Sequence, residues 1–191
     1  MKLKLSGVLG AILLLAGCGQ QHAEYHGGGG TLEAINHTKW AIQFSVNGQS
    51  GIDIIDPFQG GGGGCCFGAP STWEPGMTVR VDWETSVAFA SDVPEIPKPK
   101  RPNLDAETGS LIQRKYNTEY LAWREKVKKL SRQHSLTVPV PDYTGQKTCG
   151  ITVHFLPCDQ VKVTTSCSRY GYPDYPIKEP LEMEAPKVCP K

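Results

Sequence analysis

The stretch Met77-Thr-Val-Arg-Val-Asp-Trp83 places Met77, Val79, Val81 and Trp83 at alternate positions, with Thr78, Arg80 and Asp82 between them. Side chains along a strand point to opposite faces in turn, so this period of two predicts a half-buried β-strand. The pattern recurs on both sides of it. Trp40-Ala-Ile-Gln-Phe-Ser-Val46 carries apolar residues at 40, 42, 44 and 46, after the run Thr31-Leu-Glu-Ala-Ile-Asn-His37. Asn47-Gly48 takes positive φ readily and predicts a turn, with Ile52–Ile55 as the returning strand. Gly150-Ile-Thr-Val-His-Phe-Leu156 turns Ile151, Val153 and Phe155 inward and is followed by Val161-Lys-Val-Thr-Thr165, both near cysteines that would staple them.

A different sequence separates these strand groups. Pro94, Pro97, Pro99 and Pro102, interleaved with Lys98, Lys100 and Arg101, predict an extended linker. A helix is expected after it, at about residues 110–134. Ser110 and Gln113 have capping-box spacing, and Ile112, Tyr116, Tyr120, Trp123, Val127 and Leu130 share one face. Arg124, Lys126, Lys128, Lys129 and Arg132 crowd its carboxyl half, where cations complement the helix dipole. A basic amphipathic helix suits a membrane surface; the plainer expectation is a helix packed on the sheet with a solvated basic face. The 21 glycines and 15 prolines favour a loop-rich, strand-rich chain. The fold class expected is mainly β (α+β): one β-sandwich-like domain over residues 31–191, with one long amphipathic helix inserted between strands at about 103–135, and disulfide-stapled. Pro141-Asp-Tyr143 recurs as Pro173-Asp-Tyr175, and these prolyl stretches are read as extended segments lying over the sheet.

The chain begins with Lys2, Lys4 and an apolar run from Val8 to Ala16 that leads into Leu15-Ala-Gly-Cys18. Leu-x-x-Cys at this place marks the cysteine for lipid attachment, so residues 1–17 are read as a lipoprotein signal peptide and Cys18 as the lipidated first residue of the mature chain. The run is shorter than the roughly 20 residues of a spanning helix. Residues 18–30, ending in four glycines, form a flexible tether in which His22 and His26 are solvated. Gly19 stands where an Asp would retain a lipoprotein in the inner membrane. The expected place is therefore the cell envelope, lipid-anchored at the outer membrane and facing the periplasm.

Seven cysteines less Cys18 leave Cys65, Cys66, Cys149, Cys158, Cys167 and Cys189, an even set suited to disulfides in an oxidising compartment. Nine-residue steps between Cys149, Cys158 and Cys167 do not match zinc-ligand spacing. Adjacent Cys65 and Cys66 either close a vicinal ring or, on a strand, point opposite ways and bond two partners; the strand reading favours the second. Cys189 is expected to tie down the tail. Loss of Lys2 and Lys4 with the signal leaves eighteen cations against nineteen acids, a balance that argues against a general grip on nucleic acid.

Catalytic signatures do not emerge. Gly48-Gln-Ser-Gly51 lacks the spacing of a nucleophile elbow, and the glycines from 60 to 64 lead into Cys65-Cys66 rather than the Lys and Ser/Thr of a phosphate-binding loop. His37, His134 and His154 are isolated, with His154 expected to face solvent. No enzyme, cofactor or metal is expected. The loop aromatics Phe58, Phe67, Trp73, Tyr170, Tyr172 and Tyr175 are candidates for partner binding, against the plainer view that they cover the core edge.

Several features occur together: Asn36-His-Thr38, Val46-Asn-Gly48, the glycine run with Cys65-Cys66, Pro70, Trp73-x-Pro-Gly76, Val79-x-Val-x-Trp83, and Val153-His-Phe-Leu-Pro157 with Val161 and Val163. In this combination the chain resembles the proteobacterial lipoproteins grouped as domain of unknown function 3304. The resemblance covers most of the mature chain. It brings no catalytic residues. Members often accompany type VI secretion genes and lipase effectors, so it implies a periplasmic binding and inhibitory module, an immunity protein whose partner is a lipase-type effector. The alternative expectation is an envelope structural or assembly lipoprotein that binds peptidoglycan or an assembly component.

Overall fold

The structure is a computed structural model and describes residues 30–51, 53–103 and 109–190. Among the described residues are eight strands, β1 (Gly30–Asn36), β2 (Ala41–Val46), β3 (Gln49–Ser50), β4 (Gly60–Phe67), β5 (Thr78–Ser86), β6 (Arg132–Pro139), β7 (Thr148–Leu156) and β8 (Gln160–Ser166), with one α-helix, α1 (Gly109–Lys128), and a short 3-10 turn at Ala90–Asp92. They form two four-stranded sheets, β4-β1-β7-β8 and β3-β2-β5-β6. β1 and β7 run parallel; every other strand pair is antiparallel. The fold is thus mainly β, and the alternation along Met77–Trp83 becomes β5, with Val79, Val81 and Trp83 buried and Arg80 exposed.

Inward residues of both sheets meet in one core. Val46, Val81 and Val138 come from one sheet, Leu32, Val153 and Val163 from the other, and the Phe44 and Phe155 rings touch edge to face between them, 5.5 Å apart. Each such side chain contributes about 2 kcal/mol by leaving water. Asn47 and Gly48 both have positive φ, 51° and 81°, as a tight hairpin turn requires, and the strand returns at once as Gln49–Ser50. Ile55, further on, adds an isolated bridge to Ile42.

The glycine run is itself a strand. β4 lines the edge of β1, and its register slips twice: once at Gly62 and Gly63, whose φ values of 112° and 36° suit glycine, and once between Gly64 and Phe67, where Cys66 has φ 74°. The expectation that Cys65 and Cys66 reach two distant partners is corrected. Cys149 pairs with Cys167, stapling β7 to the end of β8, and Cys158 pairs with Cys189, so these four sulfurs are already used. Cys66 is disulfide-bonded, and the Cys65 side chain lies outside the described residues.

The inserted helix differs from expectation at both ends. Ser110 lies inside α1, and Gln113 Nε2 donates one turn onward to Asn117 Oδ1. The helix ends at Lys128, and Arg132–Pro139 is the edge strand β6, paired with all of β5 from Thr78 to Thr85. In β6 only Val138 is buried, so the strand carries almost no apolar alternation, and the cations before it read as more helix. α1 does not pack on a sheet either. Tyr120 and Trp123 of its stripe lie against the prolyl linker: Trp123 Nε1 donates to the Ile96 carbonyl at 2.8 Å, the Lys98 ammonium sits over the Tyr120 and Trp123 rings at 5.6 and 5.5 Å, and Tyr116 stacks on Tyr120. None of its side chains from Ser110 to Lys128 is fully buried.

The backbones of β1 and β7 approach closely at Gly150. Gly150 has φ 109°, and a Cβ there would lie 2.0 Å from the Thr31 carbonyl oxygen. Gly150→Ala is expected to cost about 2 kcal/mol or more, read as a lower denaturant midpoint with unchanged slope.

Candidate functional site

Asn36, at the end of β1, is fully buried and braces the turn into β2. Its Nδ2 donates to the carbonyls of Trp40 (2.7 Å) and Asp56 (3.0 Å), and its Oδ1 accepts from the backbone N–H and the hydroxyl of Thr38. The turn holds His37 inward and Trp40 outward. His154 leaves the opposite face of β7 from Ile151, Val153 and Phe155, as alternation requires. That face does not meet solvent, because the chain after β8 folds across it, and His37 and His154 are both 0% exposed. The solvent-facing expectation for His154 is corrected on this ground.

The two imidazoles form a relay. His37 Nδ1 lies 2.7 Å from the Pro180 carbonyl oxygen, His37 Nε2 lies 2.8 Å from His154 Nδ1, and His154 Nε2 lies 2.7 Å from the Tyr175 hydroxyl. A carbonyl only accepts, so His37 Nδ1 carries the proton and donates. Neutral His37 then accepts at Nε2, His154 donates from Nδ1, and Tyr175 donates its hydroxyl proton to His154 Nε2. The direction of every bond follows from one carbonyl. Tyr170 closes the group, edge-on to both His37 and Tyr175.

Burial sets the electrostatics. It pulls His154 down to about 3, with the His37 neighbour adding to the effect, and it lowers His37. It pushes the Tyr175 hydroxyl up to about 12, which keeps it a donor, and raises Tyr170 as well. Glu179, beside the pair, is held below the usual carboxylate range chiefly by Lys162, its ion-pair partner. Each ring nitrogen of the pair is engaged, so neither has one to offer a substrate or a metal as the structure stands. The relay's work is to hold the tail.

The tail in turn walls a hollow. The Met183 N–H donates to the His37 carbonyl, and Met183, Glu184 and Ala185 flank a cavity of about 430 Å³ whose floor includes Ile42, Trp83 and Phe155. Trp40 and Phe58 stand at the cavity wall, and Lys39 lies over the Trp40 ring. The Cys158–Cys189 bond, with Cys158 itself on the lining, ties the tail beside this cavity.

The loop aromatics divide accordingly. Phe58, half-buried with φ 55°, lines the cavity. Phe67 and Tyr175, expected on a binding surface, are buried: Phe67 packs in the common core and Tyr175 is the relay's terminal donor. Trp73 is half-buried, its Nε1 donating to the Val140 carbonyl at the other end of the sheets. Tyr170 is half-buried against the histidines, and Tyr172 is exposed. Cys18 lies outside the described residues. Sequence reasoning missed Trp40, Trp83, Phe155 and Met183 as cavity residues and the histidines as a pair, because His37 and His154 are 117 positions apart.

A two-sheet β-domain, disulfide-bonded, with a tail clamped over buried histidines beside an apolar cavity, is the class of protein that emerges. The chain belongs to the family described as Protein of unknown function (DUF3304), whose model matches residues 35–163 and so spans Asn36, His37 and His154. Neither a curated protein nor a solved structure matches it.

The relay makes stability depend on pH. The unfolded chain's imidazoles take protons near 6.5 and the buried His154 does not until about 3, so acid favours the unfolded state. Stability is complete above pH 6.5 and falls by about 1.4 kcal/mol per pH unit for His154 alone as the pH drops toward the carboxylate range, measured as denaturation midpoints in a pH series. His154→Phe strands His37 Nε2 and the Tyr175 hydroxyl; it is expected to lose about 2 kcal/mol or more at neutral pH while flattening that slope.

Proposed function

We propose that the protein is a lipid-anchored binding module of the periplasm, held at the outer membrane through Cys18, and that it serves as an immunity protein against a lipase-type effector of type VI secretion. The cavity carries the binding part of this reading: an apolar hollow of about 430 Å³ at one end of the sheets, with Trp40 partly exposed at its wall. Binding sites are typically concave and apolar with a few polar groups at the edge, and Trp is a frequent anchor in protein interfaces. The two sheets, sharing one core, pack as a sandwich that keeps this end rigid, and α1 is the amphipathic insertion beside it. Disulfides suit a module that works in an oxidising compartment. The anchor rests on Leu15-Ala-Gly-Cys18, and the effector on what the family resemblance implies.

Two measurements test the reading. The disulfide-intact protein, used as bait for periplasmic and secreted fractions, is expected to retain a lipase and suppress its activity; recovery of peptidoglycan or an envelope assembly component, with no toxic enzyme, would replace immunity by a structural role. Cys18→Ser is expected to abolish labelling with palmitate and shift the protein from the membrane fraction to the soluble one. Persistence at the membrane without label would remove the proposed anchor.

A further inference from the structure

Charge is unevenly spread along this chain. Residues 109–132 hold seven Lys and Arg against two acids, whereas the rest of the chain holds thirteen against seventeen. Exposed apolar side chains follow the same division. Of ten large ones exposed among the described residues, Trp40, Phe89, Leu111, Ile112, Leu121 and Leu130 belong to the turn before β2 and to the excursion between β5 and β6. On α1, helical periodicity puts Leu111 and Leu121 opposite the stripe that meets the prolyl linker, on the side that carries Arg114 and Lys128.

The pockets join these features. Trp40 and Thr85, on the wall of the main cavity, also line a hollow of about 220 Å³ with Leu130 and Arg132. Beyond it Ser86 and Val87 share a third hollow, about 320 Å³, with Arg124 and Lys128. A furrow of three neighbouring hollows thus runs from the tail to the basic helix along one end of the sheets, mostly apolar in the main cavity and mixed in the other two, where Asp159 and Glu125 stand beside the cations. Ala41 pairs with Ser86 and Thr85 with Arg132 at that end, while Gly30, where residues 18–30 join the domain, pairs with Phe67 at the other.

We propose that the furrow and α1 form one docking surface for a protein that presents an apolar side chain flanked by carboxylates. The cations of α1 match the carboxylates, and the hollows take the apolar group. A bilayer fits less well. Membrane-surface helices bury a continuous apolar face in the lipid, whereas the aromatic stripe of α1 is spent on the prolyl linker and the main hollow is concave. The surface also lies at the far end of β1 from Gly30, about 20 Å along the strand, so it points away from the end at which a Cys18 anchor would attach.

This rests on reading the protein as a binding module and supplies the chemistry of its partner. The test is to pan displayed random peptides against the disulfide-intact protein. Enrichment of acidic peptides containing an aromatic residue or Leu is expected. The affinity of an enriched peptide should fall about tenfold with Arg124→Glu/Lys128→Glu and again with Trp40→Ala, and should weaken as salt is raised. Peptides without acids, equal affinity for the charge-reversed variant, or vesicles of phosphatidylethanolamine and phosphatidylglycerol bound where peptides are not would each overturn the proposal. The two readings separate cleanly. A lipase held equally by the charge-reversed variant defeats this surface and leaves the immunity role standing, whereas acidic peptides selected by a protein that retains no lipase do the reverse.

Discussion

A hydrogen bond to one carbonyl organises the second face of the β1–β7 sheet. Because the Pro180 oxygen can only accept, the His37–His154–Tyr175 series has one self-consistent direction, with all groups neutral and all nitrogens satisfied. Buried polar groups are costly when unpaired and specific when paired. The relay therefore holds the irregular tail to a strand face that would otherwise need an apolar cover. Two of its four members, Tyr175 and Pro180, come from the tail, and a third, His37, also accepts the Met183 N–H through its carbonyl.

The cavity is a consequence of that attachment. Its floor belongs to both sheets, through Ile42 and Trp83 on one and Phe155 on the other, and the tail supplies one side of its wall through Met183, Glu184 and Ala185. The Cys158–Cys189 bond and the relay act on the same segment from two directions, one covalent and one through hydrogen bonds. The long connection between β5 and β6 then adds the basic helix, whose last turns share a hollow with Ser86 and Val87. Its prolyl linker takes up the aromatic stripe of α1, so the helix stands off the sheets with its cations and two leucines outward. The proposed binding role for this end unites features that separately are ordinary.

Much of the sheet structure was legible from short-range pattern. Alternation marked β2, β5, β7 and β8, and Asn47-Gly48 marked the hairpin. Two elements escaped for opposite reasons. β4 opens with five glycines and carries no side-chain periodicity to read, and β6 is an exposed edge strand whose polar run follows the cations of α1 without a break.

Local periodicity and turn chemistry determine which residues are strands and helix, since each depends on neighbours a few positions apart. The sequence by itself also carries the cysteine set, the Leu15-Ala-Gly-Cys18 motif and the separation of basic from acidic segments. Only tertiary structure decided which cysteines pair, that His154 meets His37 rather than water, and that Tyr175 serves the interior. Those outcomes turn on which face the tail covers, and that contact joins residues more than a hundred positions apart, beyond the reach of any periodicity.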